Sequence, residues 1–218
     1  MDEAEAAGAV NRLDANDRLS LQIGRAARAH VELDELLRGV HHMLVGPGLG
    51  VYLTGAISST HRLIQDCREM LKHAGLAPEL HEATGAALMA AAAANEERNR
   101  VVHDMWMRVD FGSPRSEAEP TWLSFRSVKG ALGAVPTPRD VTYVDDVLDR
   151  LQRAQARIFA LRSALWEVLP FFKGSALATG FSDLGKREGR LDQWILIMSD
   201  SFDLTPDGGI RAHSATEP

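Results

Sequence analysis

The chain has 218 residues, 45% of them hydrophobic and 25% charged, which is the composition of an ordinary globular domain with room for one sizeable core plus appendages. The formal net charge is −6, and a protein that coats long nucleic acid through backbone charge needs a basic face, so that class is disfavoured while a small, locally basic cleft is not. Aromatic residues are sparse at 6%, and alanine and leucine are abundant, which favours helix over sheet.

Residues 1 to about 16 are polar and alanine-rich, a frayed lead-in. They begin Asp2-Glu3-Ala4-Glu5-Ala6-Ala7, without the cationic start and apolar core of a secretory signal. Asn16 or Asp17 caps a first long helix that reaches about Val45. Its stripe is Leu19, Ile23, Ala26, His30, Leu33, Leu37, Val40 and Leu44, spaced alternately by four and three, a seam suited to left-handed bundle packing. His30 on this stripe reads as a core histidine rather than a ligand. Gly46-Pro47-Gly48-Leu49-Gly50 stops the helix as a turn and lacks the Lys-Ser/Thr of a phosphate-binding loop.

Ser58, Ser59 or Thr60 caps a second helix whose core residues are Leu63, Ile64, Cys67, Met70 and Leu71, with Gly75 as the C-terminal cap. Cys67 is the single cysteine, so there is no intrachain disulfide and a reducing cytosol suits the chain. Pro78 opens a third helix expected to run to about Met107. The 4,3 seam from Leu80 continues through Thr84, Ala87, Ala91, Ala94, Arg98, Val101 and Met105. Arg98 therefore sits on the packing seam, where an arginine needs a partner or an interface.

Between Phe111 and Arg139 the pattern breaks at Gly112, Pro114, Gly130, Gly133, Pro136 and Pro138, and Trp122–Val128 alternates like a short strand or hairpin. At roughly 30 residues this connection exceeds usual helix links. Asp140 caps a fourth helix ending near Leu169, with Val144, Leu148, Leu151, Gln155, Ile158, Leu161 and Leu165 on its apolar side. Arg150, Arg153 and Arg157 form a basic row, read as a solvated face because Asp146 and Asp149 stand four residues before two of them. Beyond Phe172 the period fades, apart from an apolar run at Leu191–Met198, and the chain after Pro206 looks disordered. The expected fold is all-α: a four-helix, mainly antiparallel bundle with a long connection between its third and fourth helices. The domain division is a helical domain over 1–172 and an irregular, partly disordered extension over 173–218. No apolar run approaches the roughly 20 residues that span a bilayer, so no membrane contact and a cytoplasmic location are expected.

The chemistry concentrates in Glu97-Arg98-Asn99-Arg100-Val101-Val102-His103-Asp104-Met105-Trp106. Asn99 and His103 are i,i+4 neighbours on one helix face, whereas Arg98 and His103 point about 140° apart. A single helix does not aim both side chains at one atom; a second copy of the motif supplies the missing member. Arg25–His30 and Arg68–His73 have the same spacing, but Ala26 and Glu69 follow their arginines where Asn99 follows Arg98. The segment resembles the signature of the HEPN superfamily, in which arginine, a polar residue, a short spacer and histidine lie near the end of a bundle helix. Many members are metal-independent ribonucleases that work as dimers; others have lost catalysis.

The resemblance implies RNA cleavage by a homodimer, with no cofactor and no metal. His103 acts as general acid or base, Arg98 stabilises phosphoryl charge, and Asn99 orients His103 or holds a phosphate oxygen. Arg100, Asp104 and Arg108 are the substrate-binding candidates. A neutralising partner protein, as in a toxin–antitoxin pair, belongs to the same picture. The alternative is a catalytically inactive HEPN-like module for binding or dimerisation, and a small-ligand-binding bundle stands third. No H-x3-H, HExxH or CxxC pattern offers a metal site, and no GxSxG elbow or GxGxxG turn offers a nucleophile or dinucleotide site.

Overall fold

The computed structural model of the chain describes residues 15–46, 48–109, 121–127, 134–139, 141–169, 191–205 and 209–213. It is mostly helical, with a few short strands. The helices are α1 (Ala15–Val45), α2 (Leu49–Gly55), α3 (Thr60–Lys72), α4 (Pro78–His103), α5 (Val141–Val168) and α6 (Leu191–Met198). The strands β1 (Met105–Val109), β2 (Thr121–Ser127) and β3 (Ala134–Arg139) form one antiparallel sheet in that order, and β4 (Phe202–Leu204) pairs with β5 (Ile210–Ala212). The lead-in before Ala15, the glycines at 112, 130 and 133, Asp140, Pro170, and the tail after His213 lie outside the described residues. Within the C-terminal extension, α6 and the β4–β5 pair occupy the part from Leu191 to His213.

The chain falls into two compact units. One consists of residues up to His30 together with Glu96–Leu151, and it carries the end of α4 and the β1–β3 sheet. The other consists of Val31–Asn95 and the chain from Gln152 onward, with α2, α3, α6 and the β4–β5 pair.

The helices form where apolar residues recur at the helical period. On α1, Leu19, Ala26, Leu33, Leu37 and Val40 are buried, while Ile23 and Leu44 are only half covered. Gln22, Ala29, His41 and Met43 are buried beside them. A straight helix of 3.6 residues per turn drifts by about 20° per heptad against a strict 4,3 seam, so over 31 residues the buried line leaves the predicted stripe. On α3 the expected Leu63, Ile64, Cys67 and Leu71 are buried and Met70 is half-buried. Ser59 is the cap, its hydroxyl accepting from the Arg62 amide at 3.2 Å. On α5, Val144, Leu151, Ile158, Leu161 and Leu165 are buried, with Val147 and Ala154 added.

The glycine-rich stretch after α1 holds more than a turn, since α2 starts at Leu49. Gly48 precedes it at φ 94, a left-handed conformation that a β-carbon disfavours. A β-carbon on Gly50 would stand 2.9 Å from the His42 carbonyl oxygen, so only glycine lets the two helices approach this closely. The far end of α2 is bound to α1 by polar groups. Arg38 donates to the carbonyls of Thr54 at 3.1 Å and Ile57 at 3.2 Å and pairs with Asp34 at 2.7 Å, and Asp34 also accepts from the Thr60 hydroxyl at 2.7 Å. These bonds satisfy carbonyls that a helix end leaves open.

Buried His41 completes this contact, its Nδ1 lying 2.7 Å from the Thr54 hydroxyl. Burial holds its pKa below the ordinary histidine value, against the pull of Asp66 and with help from His42 and Arg38. The folded chain thus prefers neutral His41, while the unfolded chain binds a proton near pH ~6.5. Stability present above that pH is expected to be lost as pH falls below it. The urea midpoint should drop between pH 7.5 and pH 5, and it should drop less in His41→Gln, which keeps a hydrogen-bonding side chain without the titration. An equal drop in both proteins would remove His41 from the account.

Candidate functional site

The small residues of α4 lie away from water, with Ala87, Ala91 and Ala94 buried, and Val101 is fully buried in the last turn. The helix stops at His103, four residues short of the expected end. Trp106 and Val109 are β-formers, and β1 takes them into the sheet, with Trp106 opposite Ser124 and Arg108 opposite Trp122. The sheet competes successfully with further helix because each β1 residue gains a cross-strand neighbour.

Arg98 and Asn99 are half-buried near the end of α4. The Arg98 guanidinium donates to Asn99 Oδ1 at 3.0 Å, and its Nε is buried with no hydrogen-bond partner among the described residues. Burial alone pushes its pKa down from the ordinary arginine value. A guanidinium removed from water and not facing a carboxylate is costly. His103 is exposed, and no hydrogen bond among the described residues joins it to Arg98. The structure therefore places Arg98 with Asn99 and leaves His103 separate, as expected for side chains about 140° apart on one helix.

Of the substrate-binding candidates, Arg100 is paired with Glu96 at 2.7 Å on the helix surface. Asp104 is half-buried, and its amide donates to the Arg100 carbonyl at 3.2 Å, continuing the helical bonding one residue past His103. Arg108 is a β1 residue whose side chain lies outside the described residues.

Next to this turn stands a cluster that the sequence reading missed. The Trp106 indole N–H donates to the Val101 carbonyl at 2.9 Å. The Trp106 ring lies 6.5 Å from the Tyr143 ring, tilted by 37°, and the Arg139 guanidinium sits 3.8 Å over the Tyr143 ring, a cation–π distance. Burial raises the Tyr143 pKa, with Arg139 opposing; Glu97, Arg100 and Asp104 are also close enough to act on it. The end of α4, the end of β3 and the start of α5 thus meet around one tyrosine. The only sequence signal was a tryptophan soon after His103, because the contact of Trp106 with Tyr143 spans more than 30 residues of chain.

The basic row of α5 is occupied. Arg150 pairs with Glu97, Arg157 with Asp200, and Arg153 lies 5.8 Å over the Phe202 ring. The row is a structural face rather than a waiting phosphate site. Cys67 is buried and its thiol is pushed up to about 12, far from a thiolate nucleophile. Among the described residues no three His, Cys, Asp or Glu side chains come together as a metal site, and no helix is long and apolar enough to cross a membrane.

Protein-family models, curated proteins and solved structures give no match to this chain. The functional reading therefore rests on residues and geometry alone.

Proposed function

We propose that this chain is a HEPN-like, metal-independent RNA endonuclease that acts as a homodimer, in the cytoplasm, under the control of a neutralising partner protein. In this reading α1, α3, α4 and α5 are the four helices of a mainly antiparallel bundle, and the β1–β3 sheet fills the long third-to-fourth connection. The observation that carries the proposal is Arg98: half-buried, among the described residues bonded only to Asn99 and with an unpartnered Nε, five residues before an exposed histidine. A half-buried guanidinium with an unpartnered Nε suits an anion that arrives from outside, and its planar fork matches phosphate oxygens.

The chemistry is transesterification. His103 of one subunit takes the proton of a ribose 2′-hydroxyl, the 2′-oxygen forms a bond to phosphorus, and the bond from phosphorus to the 5′-oxygen breaks. Water donates a proton to the leaving 5′-oxygen and His103 returns its proton to solvent, giving a 5′-hydroxyl end and a 2′,3′-cyclic phosphate. Arg98 neutralises charge that builds on the phosphoryl oxygens. Incubation with single-stranded RNA in excess EDTA is expected to give those two ends, and a single 2′-deoxy substitution at the cut position should abolish cleavage there. Cleavage that stops with EDTA, or that leaves a 5′-phosphate, overturns the mechanism.

A catalytically inactive HEPN-like binding or dimerisation module is the second reading. It is favoured by the ion pairs Arg100–Glu96 and Arg150–Glu97, which quench positive charge near the motif. Absence of cleavage from several RNAs, with self-association retained in sedimentation, selects it.

A further inference from the structure

We infer that Trp106 is a positioning residue for His103. The inference rests on the ribonuclease reading for its catalytic consequence, though not for its structural one. A helix leaves its last four carbonyls without intrahelical partners, and its last turn frays. In α4 the Arg100 carbonyl is taken by the Asp104 amide at 3.2 Å. The next carbonyl, Val101, accepts from no backbone amide among the described residues, since Met105 has turned into β1. The Trp106 indole N–H takes that place at 2.9 Å, a side-chain cap on the turn that carries His103.

The cap is itself held. Trp106 lies against Tyr143 in the first turn of α5, and Tyr143 lies under Arg139 at the end of β3. Opposite Trp106 across the β1–β2 ladder stands buried Ser124. The His103 turn is therefore tied through the indole to Tyr143 of α5, which Arg139 of β3 covers in turn, while the backbone of Trp106 pairs with Ser124 of β2. An exposed histidine that must meet a scissile phosphate needs its backbone fixed, since small misplacements of a catalytic group cost rate steeply.

The test is removal of the donor with the ring kept, in the full-length chain. Trp106→Phe retains an aromatic ring against Tyr143. If Phe fails to fold, 3-benzothienylalanine at position 106 keeps the bicyclic shape and lacks the N–H. In either variant, hydrogen exchange of the Val102, His103 and Asp104 amides should speed up about five-fold, the factor corresponding to one net hydrogen bond. Exchange in the middle of α4 should not change. Cleavage should show kcat lowered several-fold at unchanged KM, since Trp106 holds a turn and binds no substrate. Unchanged exchange at these three amides overturns the inference whether or not RNA is cut. Faster exchange in a protein whose parent cuts no RNA leaves the positioning role standing and removes the ribonuclease reading. Raised KM with kcat unchanged would make Trp106 a binding residue instead and also overturns the inference.

Discussion

His103→Ala is expected to lower RNA cleavage by a factor of 10²–10⁴, the usual loss when a general acid or base is removed. The chain supplies its own controls. His30 and His73 follow arginines at the same spacing, yet their settings differ. Arg25 and Arg68 are exposed, and Arg25 bonds Gln22, whereas Arg98 is half-buried with an orphaned Nε. His30→Ala and His73→Ala should therefore cleave at near-parental rates, and Arg98→Ala should fall with His103→Ala. In the proposed homodimer Arg98 and His103 diverge on their helix, so each catalytic centre would take one residue from each subunit. Mixing Arg98→Ala with His103→Ala subunits tests that arrangement. By random pairing, half of the dimers are hybrids, each with one intact centre and one doubly broken centre, so about one quarter of parental activity should return. Rates are read in excess EDTA on proteins of equal helicity. No recovery on mixing places the whole centre within one subunit. Parental cleavage by His103→Ala puts the activity elsewhere altogether.

The features of this protein that the sequence made legible are those written in local periodicity. Helices α1, α3, α4 and α5 follow from the recurrence of Leu, Ile, Val and Ala at helical spacing, and the start of α3 follows from Ser59, whose hydroxyl bonds the first turn; α1 begins at Ala15, ahead of the Asn16 and Asp17 expected to cap it. What misled was competition between local preference and a distant partner. The α4 pattern continues without interruption to Met107, but residues 105–109 pair with 121–125, which no helical periodicity records. The stretch at 46–50 reads as a turn because glycine and proline dominate it, while α2 is held by Arg38 and His41 from the preceding helix. Within the candidate site, Arg98 on the seam and Asn99 beside it were visible. The Trp106–Tyr143–Arg139 cluster was not, because each member alone is an unremarkable residue at an element boundary. The basic row on α5 shows the converse. In sequence its arginines read as a solvated face with Asp146 and Asp149 as neighbours on the same helix, and folding brings Glu97 and Asp200 from elsewhere in the chain to Arg150 and Arg157.

Leu37→Ala is expected to destabilise the fold by about 2–5 kcal/mol, the range for buried leucines cut back to alanine. Leu37 is fully buried in the middle of α1, between buried Leu33 and Val40, and lies one helical turn before buried His41. Helix ends can relax into a cavity; a mid-helix position packed above and below cannot, so the upper part of that range applies. The same helix provides the opposite case. Val31 is 59% exposed, and Val31→Ala removes little buried surface while replacing a β-branched residue by the best helix former. Its effect should lie within about 0.5 kcal/mol of zero, as for surface changes generally. The two substitutions delete side chains of similar size from one helix, so the difference between them isolates burial. Urea unfolding with an unchanged slope gives both values. A loss below about 0.5 kcal/mol for Leu37→Ala, with the helical circular dichroism intact, would mean that α1 packs by another face. Arg98 was placed on the α4 seam by the same spacing rule, so the proposal that it stands at an interface would then need independent evidence.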